Sequence, residues 1–250
     1  MSFIKVAIKS AKNAGKILLN NFGKINYIRK KDNGFVTNVD LEAERKIINI
    51  IKDKYPNHSI LSEELGEIVG SDYRWIIDPL DGTHNYIYGL PMFGISIALE
   101  YKKVLRLGVI YLPYLNQLFV AEKDSGAYLN GQPIHVSNRE LSEAIFLCEG
   151  DLKRAKKASL KFMDKIVEHV FRIRVLGAAV INLAFIASGK ADAHVCSLTH
   201  PWDIAAGFLI VKEAGGKITD FNCKPCDHYT KQYVVSNSVF HADILKLITH

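Results

Sequence analysis

Apolar residues recur every third or fourth position over the first 22 residues, at Ile4, Ala7, Ile8, Ala11 and Leu18, with Lys5, Lys9, Lys12 and Lys16 between them. That period predicts an amphipathic helix, packed along one stripe and solvated along the other. Similar patterns predict helices near 40–55, 155–169, 178–188, 202–214 and 239–249. Short apolar runs bounded by turn residues predict strands near 59–61, 73–78, 94–102, 105–112, 117–121, 127–129, 173–175, 191–195 and 233–236, several of them consecutive hairpins. Asn130-Gly131, directly after Ala127-Tyr128-Leu129, is a type I′ turn signal. Consecutive strands in the middle and helix–strand alternation toward the end predict stacked layers of sheet and helix, an α/β (α+β) class.

Punctuation is sharpest between Trp75 and Asn85. Trp75-Ile76-Ile77 reads as the end of a buried strand, and Pro79 forbids a regular continuation. Asp78 and Asp81 are therefore expected at a strand-to-helix junction, with the backbone N–H groups of Gly82 and Thr83 facing outward. Other acids also stand at element ends: Ser62-Glu63-Glu64 follows a short strand, and His200-Pro201-Trp202-Asp203 opens a helix. Hard divalent cations want several oxygen ligands, which makes Glu63, Asp78, Asp81 and Asp203 together a candidate site for more than one ion. Each acid has an ordinary structural reading too: Asp203 a helix cap, Glu64 a solvated side chain, Asp81 an Asp-Gly turn residue. Singly those readings win, but jointly they are less comfortable.

At 250 residues, 48% of them hydrophobic and 23% charged, the chain is long enough for one domain, 1–250, with a sizeable core, or for two intimately packed halves near 1–145 and 146–250. A net charge of +6 suits nucleic acid, an anionic membrane or an anionic small substrate, and does not choose among them. The lysine face of the first helix reads as solvated rather than as a membrane anchor. Gly177 to Ser188, the longest largely uncharged apolar run, is too short to span a bilayer, so the expectation is a cytoplasmic protein with no membrane partner. Cys223 and Cys226 form a C-x-x-C pair in what reads as a turn between strands, an incidental surface-loop pair for which His228 would supply one further zinc ligand at best. Cys148 reads as a strand residue.

Three motifs together carry a resemblance. Trp75-Ile-Ile-Asp-Pro-Leu-Asp-Gly-Thr-His-Asn85, Ser62-Glu-Glu64 and Trp202-Asp-Ile-Ala-Ala-Gly207 resemble the inositol monophosphatase family of Mg²⁺-dependent, typically lithium-sensitive phosphatases. Val36-Thr37-Asn38-Val39-Asp40 is similar to the family's upstream V-T-x-x-D segment, and Gly177-Ala178-Ala179 with Ala191-Asp192-Ala193 to its substrate-side region, so the likeness runs from about Val36 to Gly216. It implies a layered αβαβα sandwich of the sugar-phosphatase type, and a homodimer. It implies two to three Mg²⁺ ions: one held by Glu63, Asp78 and the Leu80 carbonyl, a second by Asp78, Asp81 and Asp203, and a weaker third contacted by Glu63 through water. Phosphate oxygens would be taken by Gly82 and Thr83 amides beside Asp81. Thr83, bonded to Asp40 and helped by Glu63, would orient and deprotonate a metal-coordinated water, while a second water near Asp203 would protonate the leaving alkoxide. Without the motif context, a helix-cap hydroxyl at Thr83 and a turn role at Asp40 would be preferred.

One position departs from the family's pattern. Inositol-cleaving relatives carry a hydroxyl-binding Glu seven residues before the second metal-binding Asp, where this chain has Cys196 before Asp203. Gly177, Ala178 and Ala179 remain candidates for backbone contact with substrate, and loop variation could bring Asp192 or His194 toward the site. His194 reads as a strand or interface residue rather than a ligand, and His84 as a solvent-facing helix residue. Arg29-Lys30-Lys31-Asp32-Asn33-Gly34 reads equally as a loop closing over the metals or as an exposed hairpin turn. The reading is a Mg²⁺-dependent phosphomonoesterase acting on inositol monophosphate or a similar small polyol or sugar phosphate. The alternatives are a 3′-phosphoadenosine-type nucleotide, histidinol-phosphate or fructose-bisphosphate phosphatase on the same scaffold, and a non-catalytic RNA- or transcription-associated factor.

Overall fold

Successive side chains on three central strands enter opposite cores. On β5 (Ser71–Asp81), β6 (Gly94–Tyr101) and β7 (Val104–Leu112), the residues Trp75, Ile77, Ile95, Ile97, Leu107 and Val109 face one apolar layer, while Ile76, Ala98, Ile110 and Leu112 face another. A sheet buried on both faces needs cover on both, because pleated neighbours point to opposite sides. These coordinates are a computed structural model and describe residues 2–24, 27–29, 35–148 and 162–249.

The first face is covered by α1 (Phe3–Asn21) and α2 (Asn38–Lys54), through Val6, Ala11, Leu18, Ala43, Ile47 and Ile51. The second packs on α4 (Ala179–Ala187) and α5 (Pro201–Glu213). Those two helices lie between sheets, which is why Ile204 through Val211 are all buried rather than striped. Their far side meets Leu147, Tyr233 and Val235 of a second sheet, whose outer face packs on α6 (His241–Thr249) through Ile244, Leu245 and Ile248. The order is αβαβα, as expected. At one crossing the layers almost touch: a Cβ on Gly108 of β7 would stand 2.6 Å from the Ala206 carbonyl oxygen of α5.

The first sheet has eight strands in the order β10-β9-β8-β7-β6-β5-β3-β4, with β3 His58–Ser62, β4 Gly66–Ile68, β8 Gln117–Glu122, β9 Ala127–Leu129 and β10 Gln132–Ile134. The second has five, β12-β11-β13-β15-β14, with β11 Ile145–Cys148, β12 Arg172–Val175, β13 Ala193–Cys196, β14 Lys217–Thr219 and β15 Tyr233–Ser236. β1 (Tyr27–Arg29) and β2 (Phe35–Thr37) pair antiparallel as a separate two-stranded sheet. Asn130 and Gly131 both take positive φ, 50° and 82°, as a type I′ turn requires. β5 runs past the expected end at Asp78: the register slips between Asp78, opposite Ser96, and Asp81, opposite Gly94. Pro79 sits in that bulge, where its missing N–H costs no ladder bond. The helix expected near 155–169 lies partly outside the described residues and is helical at 162–166. Among the described residues no helix is long and apolar enough to cross a membrane.

Candidate functional site

Chain direction reverses where β5 ends, and the acids of the Trp75–Asn85 motif line that corner. The Leu80 N–H folds back onto Asp78 Oδ1 at 2.9 Å, and Gly82 takes φ +85°, a left-handed conformation that lets α3 (Thr83–Ile87) start at once. A side chain at Gly82 would also strike Met92 O at 2.7 Å and the Ala178 Cβ at 3.1 Å. The substrate-side segment predicted from sequence therefore lies against the motif. Asn85 holds it there, donating to Met92 O at 2.7 Å and Leu176 O at 2.8 Å. Asp81 closes the junction by capping α4 from outside: Val180 N–H donates to its Oδ2 at 2.7 Å.

Asp40, the third residue of α2, closes a capping box with Thr37. Thr37 N–H donates to its Oδ2 at 2.8 Å, the Thr37 hydroxyl bonds the same oxygen, and that hydroxyl accepts from Val39 N–H and Asp40 N–H. Its other oxygen lies 3.4 Å from Thr83 Oγ1, which is 3.0 Å from Leu80 O. Capping and a link to Thr83 are both present, one on each carboxylate oxygen. Asp203 likewise combines readings, its Oδ2 accepting from His200 N–H at 2.9 Å and from the Thr199 hydroxyl at 3.2 Å.

Glu63 reaches this corner because β3 runs parallel to β5 and its N–H donates to Ile77 O at 3.2 Å. Glu44, which sequence reasoning passed over, grips the same turn from α2. Its Oε1 accepts from the Ser62 hydroxyl and from the Glu64 and Leu65 N–H groups, both at 3.1 Å. The available signal was a carboxylate four residues after Asp40, on the face that also buries Ala43, Ile47 and Ile51.

Electrostatics join what the backbone has assembled. Burial and then the charges of Glu63, Asp81 and Asp203 hold the Asp78 carboxyl well above the usual carboxylate range. Burial, reinforced by Asp203 and opposed by three amides, pushes Asp81 up to about 7. Burial also pushes Asp40 up to about 6, against its bonds from Thr37. Among the described residues no three acidic, histidine or cysteine side chains form a ready metal cage. The four acids share a field without yet sharing a point.

Asp192 is fully buried in a structural knot, accepting from the Ser137 hydroxyl, from Arg139 Nε at 2.9 Å and from Ile145 N–H at 2.7 Å. His194 bonds Leu147 O at 2.9 Å inside the second sheet, and its burial pushes the imidazole down to about 4. His84 is exposed and meets the Phe35 ring edge-on at 4.6 Å. Cys196 is buried at the end of β13, its thiol donating to Leu198 O at 3.3 Å. Of the C-x-x-C pair, Cys223 is exposed but Cys226 is buried, so the pair is not a surface feature as a whole, and all four cysteines are free thiols. His228 is engaged by Glu100 at 2.7 Å. The 30–34 part of the basic loop lies outside the described residues.

Residues 1–250 match the inositol monophosphatase family. A fructose-1,6-bisphosphatase/inositol-1-monophosphatase of Thermotoga maritima is 38% identical over 252 residues, covering 99% of this chain and 96% of its own. A Nus factor SuhB of Haemophilus influenzae is 40% identical over 227 residues, covering 88% of this chain and 85% of its own. Among solved structures, the extragenic suppressor protein SuhB of Bartonella henselae superposes with a TM-score of 0.94 at 32% identity, covering 98% of this chain and 97% of its own. An IMPase/NADP phosphatase complexed with Mg²⁺ and phosphate superposes at 0.86 with 25% identity, covering 98% and 94%.

Proposed function

Since the chain belongs to the inositol monophosphatase family, we propose that it is a Mg²⁺-dependent phosphomonoesterase acting on inositol monophosphate or a similar small polyol or sugar phosphate. The observation that carries this reading is the buried carboxyl of Asp78 with Glu63, Asp81 and Asp203 around it, whose charges raise its proton affinity as Asp203 raises that of Asp81. Mutual repulsion of that kind is relieved by a cation, and an all-oxygen donor set suits Mg²⁺. The related phosphatase structure with Mg²⁺ and phosphate supports the choice. Glu63, Asp78 and the Leu80 carbonyl would hold one ion and Asp78, Asp81 and Asp203 another. When bound, the ions supply charge neutralisation for the phosphate and lower the pKa of water.

The chain's own groups do the rest. Thr83 donates its hydroxyl proton toward Asp40, which leaves its oxygen to accept a hydrogen bond from the attacking water. Asp40, ionised above about pH 6, is the proton's destination. Gly82 and Thr83 amides at the start of α3 are assigned to phosphate oxygens, and Gly177, Ala178 and Ala179, packed on Gly82, to the alcohol side. Lithium sensitivity, a homodimeric state and a cytoplasmic location belong to the same reading.

A panel of phosphomonoesters assayed with and without Mg²⁺ tests it. Hydrolysis of none of them removes the assignment. The two-activity name of the Thermotoga relative argues for a broad panel that includes sugar bisphosphates, nucleotides and histidinol phosphate.

A second reading, association with RNA, is favoured by one observation. The first 31 residues hold eight Lys and Arg and no Asp or Glu, and Lys5, Lys9, Lys12 and Lys16 form one exposed stripe on α1. The relative named a Nus factor makes it worth measuring. Binding of an unstructured 20-nucleotide RNA should fall steeply with salt and disappear when the four lysines become Glu, and an unchanged affinity would remove it.

A further inference from the structure

Glu44 is a buried carboxylate spent on a turn. Only 2% of it is exposed, and a single oxygen takes the Ser62 hydroxyl and the Glu64 and Leu65 amides. Those bonds grip the residue before Glu63 and the two after it, while the Glu63 amide is tied to Ile77 O at 3.2 Å. Four consecutive residues are thus fixed to β5 on one side and α2 on the other. Glu44 also stands one helical turn from Asp40, so the same stretch of α2 carries both the group bonded toward Thr83 and the clamp on the Glu63 turn.

We propose that Glu44 is a positioning residue: it aims the Glu63 carboxylate at Asp78 and so sets the affinity of the site for its divalent cation. This rests on the phosphatase reading above. One acceptor oxygen reaching in from a helix ties down three groups of a turn that lies outside that helix. Here the turn carries the acid that sequence and field place beside Asp78. Fixing a ligand by hydrogen bonds from behind is the usual means of tuning a metal site.

The test uses the full chain with Glu44→Ala, Glu44→Gln and Glu44→Asp. Mn²⁺ binding is followed by calorimetry, Mg²⁺ activation by phosphatase assay, and melting temperature is recorded in EDTA and in Mg²⁺. Glu44→Ala should weaken Mn²⁺ binding and raise the Mg²⁺ half-activation concentration by ~10–100-fold, with KM for the ester moving less. Glu44→Gln keeps a carbonyl oxygen that accepts the same three bonds, and should stay within about threefold of the native protein. Should Glu44→Ala not fold, Glu44→Asp takes its place, because its oxygen is one methylene short, and it should weaken Mn²⁺ in the same direction. Native Mn²⁺ affinity in the folded Ala or Asp variant, whatever its melting temperature in EDTA, overturns the proposal, and so does a Gln variant as impaired as Ala. If the native protein itself neither binds Mn²⁺ nor hydrolyses any ester, the phosphatase reading fails and takes this one with it. If native activity is present and Glu44→Ala matches it, only the role of Glu44 falls.

Discussion

Buried titratable groups are handled in opposite ways by the two sheets. In the five-stranded half, His194 and His241 are both pushed down to about 4 by burial, and each has neutral partners: Leu147 O for His194, and the Thr219 and Ser236 hydroxyls, at 2.9 and 2.8 Å, for His241. Around the end of β5 in the eight-stranded half, Asp40, Asp78 and Asp81 are pushed up instead, first by burial and then by neighbouring carboxylates: Glu64 for Asp40, Glu63, Asp81 and Asp203 for Asp78, and Asp203 for Asp81. Burial alone does not explain the second group. Glu100 on β6 is also buried, and burial raises its carboxyl, but bonds from His228 and Tyr229 and the charge of Arg74 outweigh that and bring it below the usual range. A scaffold carboxylate has its cations built in; those at the β5 corner face other carboxylates. Opposed charge of this kind is what a site keeps for a ligand.

Asp81→Asn should give the largest break in that contrast. Loss of one proposed metal ligand should cut kcat/KM by at least ~10²-fold, the upper range seen when even an outer partner of a metal site is removed. The same change should leave the melting temperature in EDTA at pH 7 unchanged or raised, because the Asn oxygen still accepts from Val180 N–H while the repulsion from Asp203 is gone. A melting temperature that falls together with intact turnover would make Asp81 a scaffold residue.

The pH dependence of stability in EDTA sharpens the contrast further. For the histidines the folded pKa, about 4, lies below the ordinary 6.5, so the unfolded chain takes up protons that the folded one refuses, and stability is lost as pH falls from 6.5 to 4. For Asp40 and Asp81 the folded values, about 6 and about 7, lie above 3.8, so stability present below pH 3.8 is lost as pH rises through 6 to 7. The two slopes, each about 1.4 kcal/mol per pH unit per group, oppose one another between pH 4.5 and 6. Urea unfolding should therefore show a shallow profile for the native protein there. Asp81→Asn should tilt it upward with pH and His194→Gln downward, and Mg²⁺ should remove the carboxylate limb. Parallel tilts in the two variants would mean that the halves do not differ in this way.

The same division governs what could be read from the chain alone. The β5 corner was legible because an apolar run, a proline and an Asp-Gly pair punctuate it locally, and because the layer pattern follows from periodicity along each element. Three-residue strands such as β4, β10 and β14 carry too little pattern to announce themselves. Bonds across the chain leave no local trace: the cap that Asp81 places on α4 spans 99 residues, and Glu44 looks like any helical acid until Ser62 is found against it. Asp192 misled for the complementary reason, since its Ala-Asp-Ala setting resembles a substrate-side segment while its oxygens are used to fasten Ser137, Arg139 and the start of β11.

Cys196→Glu carries the smallest expected effect and addresses the junction of the two halves. The residue ends a strand of the histidine-bearing sheet, seven positions before Asp203 of the acidic corner, and its thiol is turned to Leu198 O. A thiol offers little as an acceptor for a substrate hydroxyl, whereas a carboxylate accepts strongly. The substitution should raise kcat/KM for inositol phosphate relative to an ester lacking neighbouring hydroxyls by about tenfold, the lower end of what one hydrogen bond to a charged group contributes. It should also cost stability, because the position is buried and the added carboxylate must either find a donor or emerge toward the substrate side. The measurement that decides is the ratio of the two kcat/KM values, which is insensitive to a loss of folded protein. An unchanged ratio would move substrate choice away from β13 and leave Gly177 to Ala179, on the α4 side of the corner, as the segment that reads the alcohol.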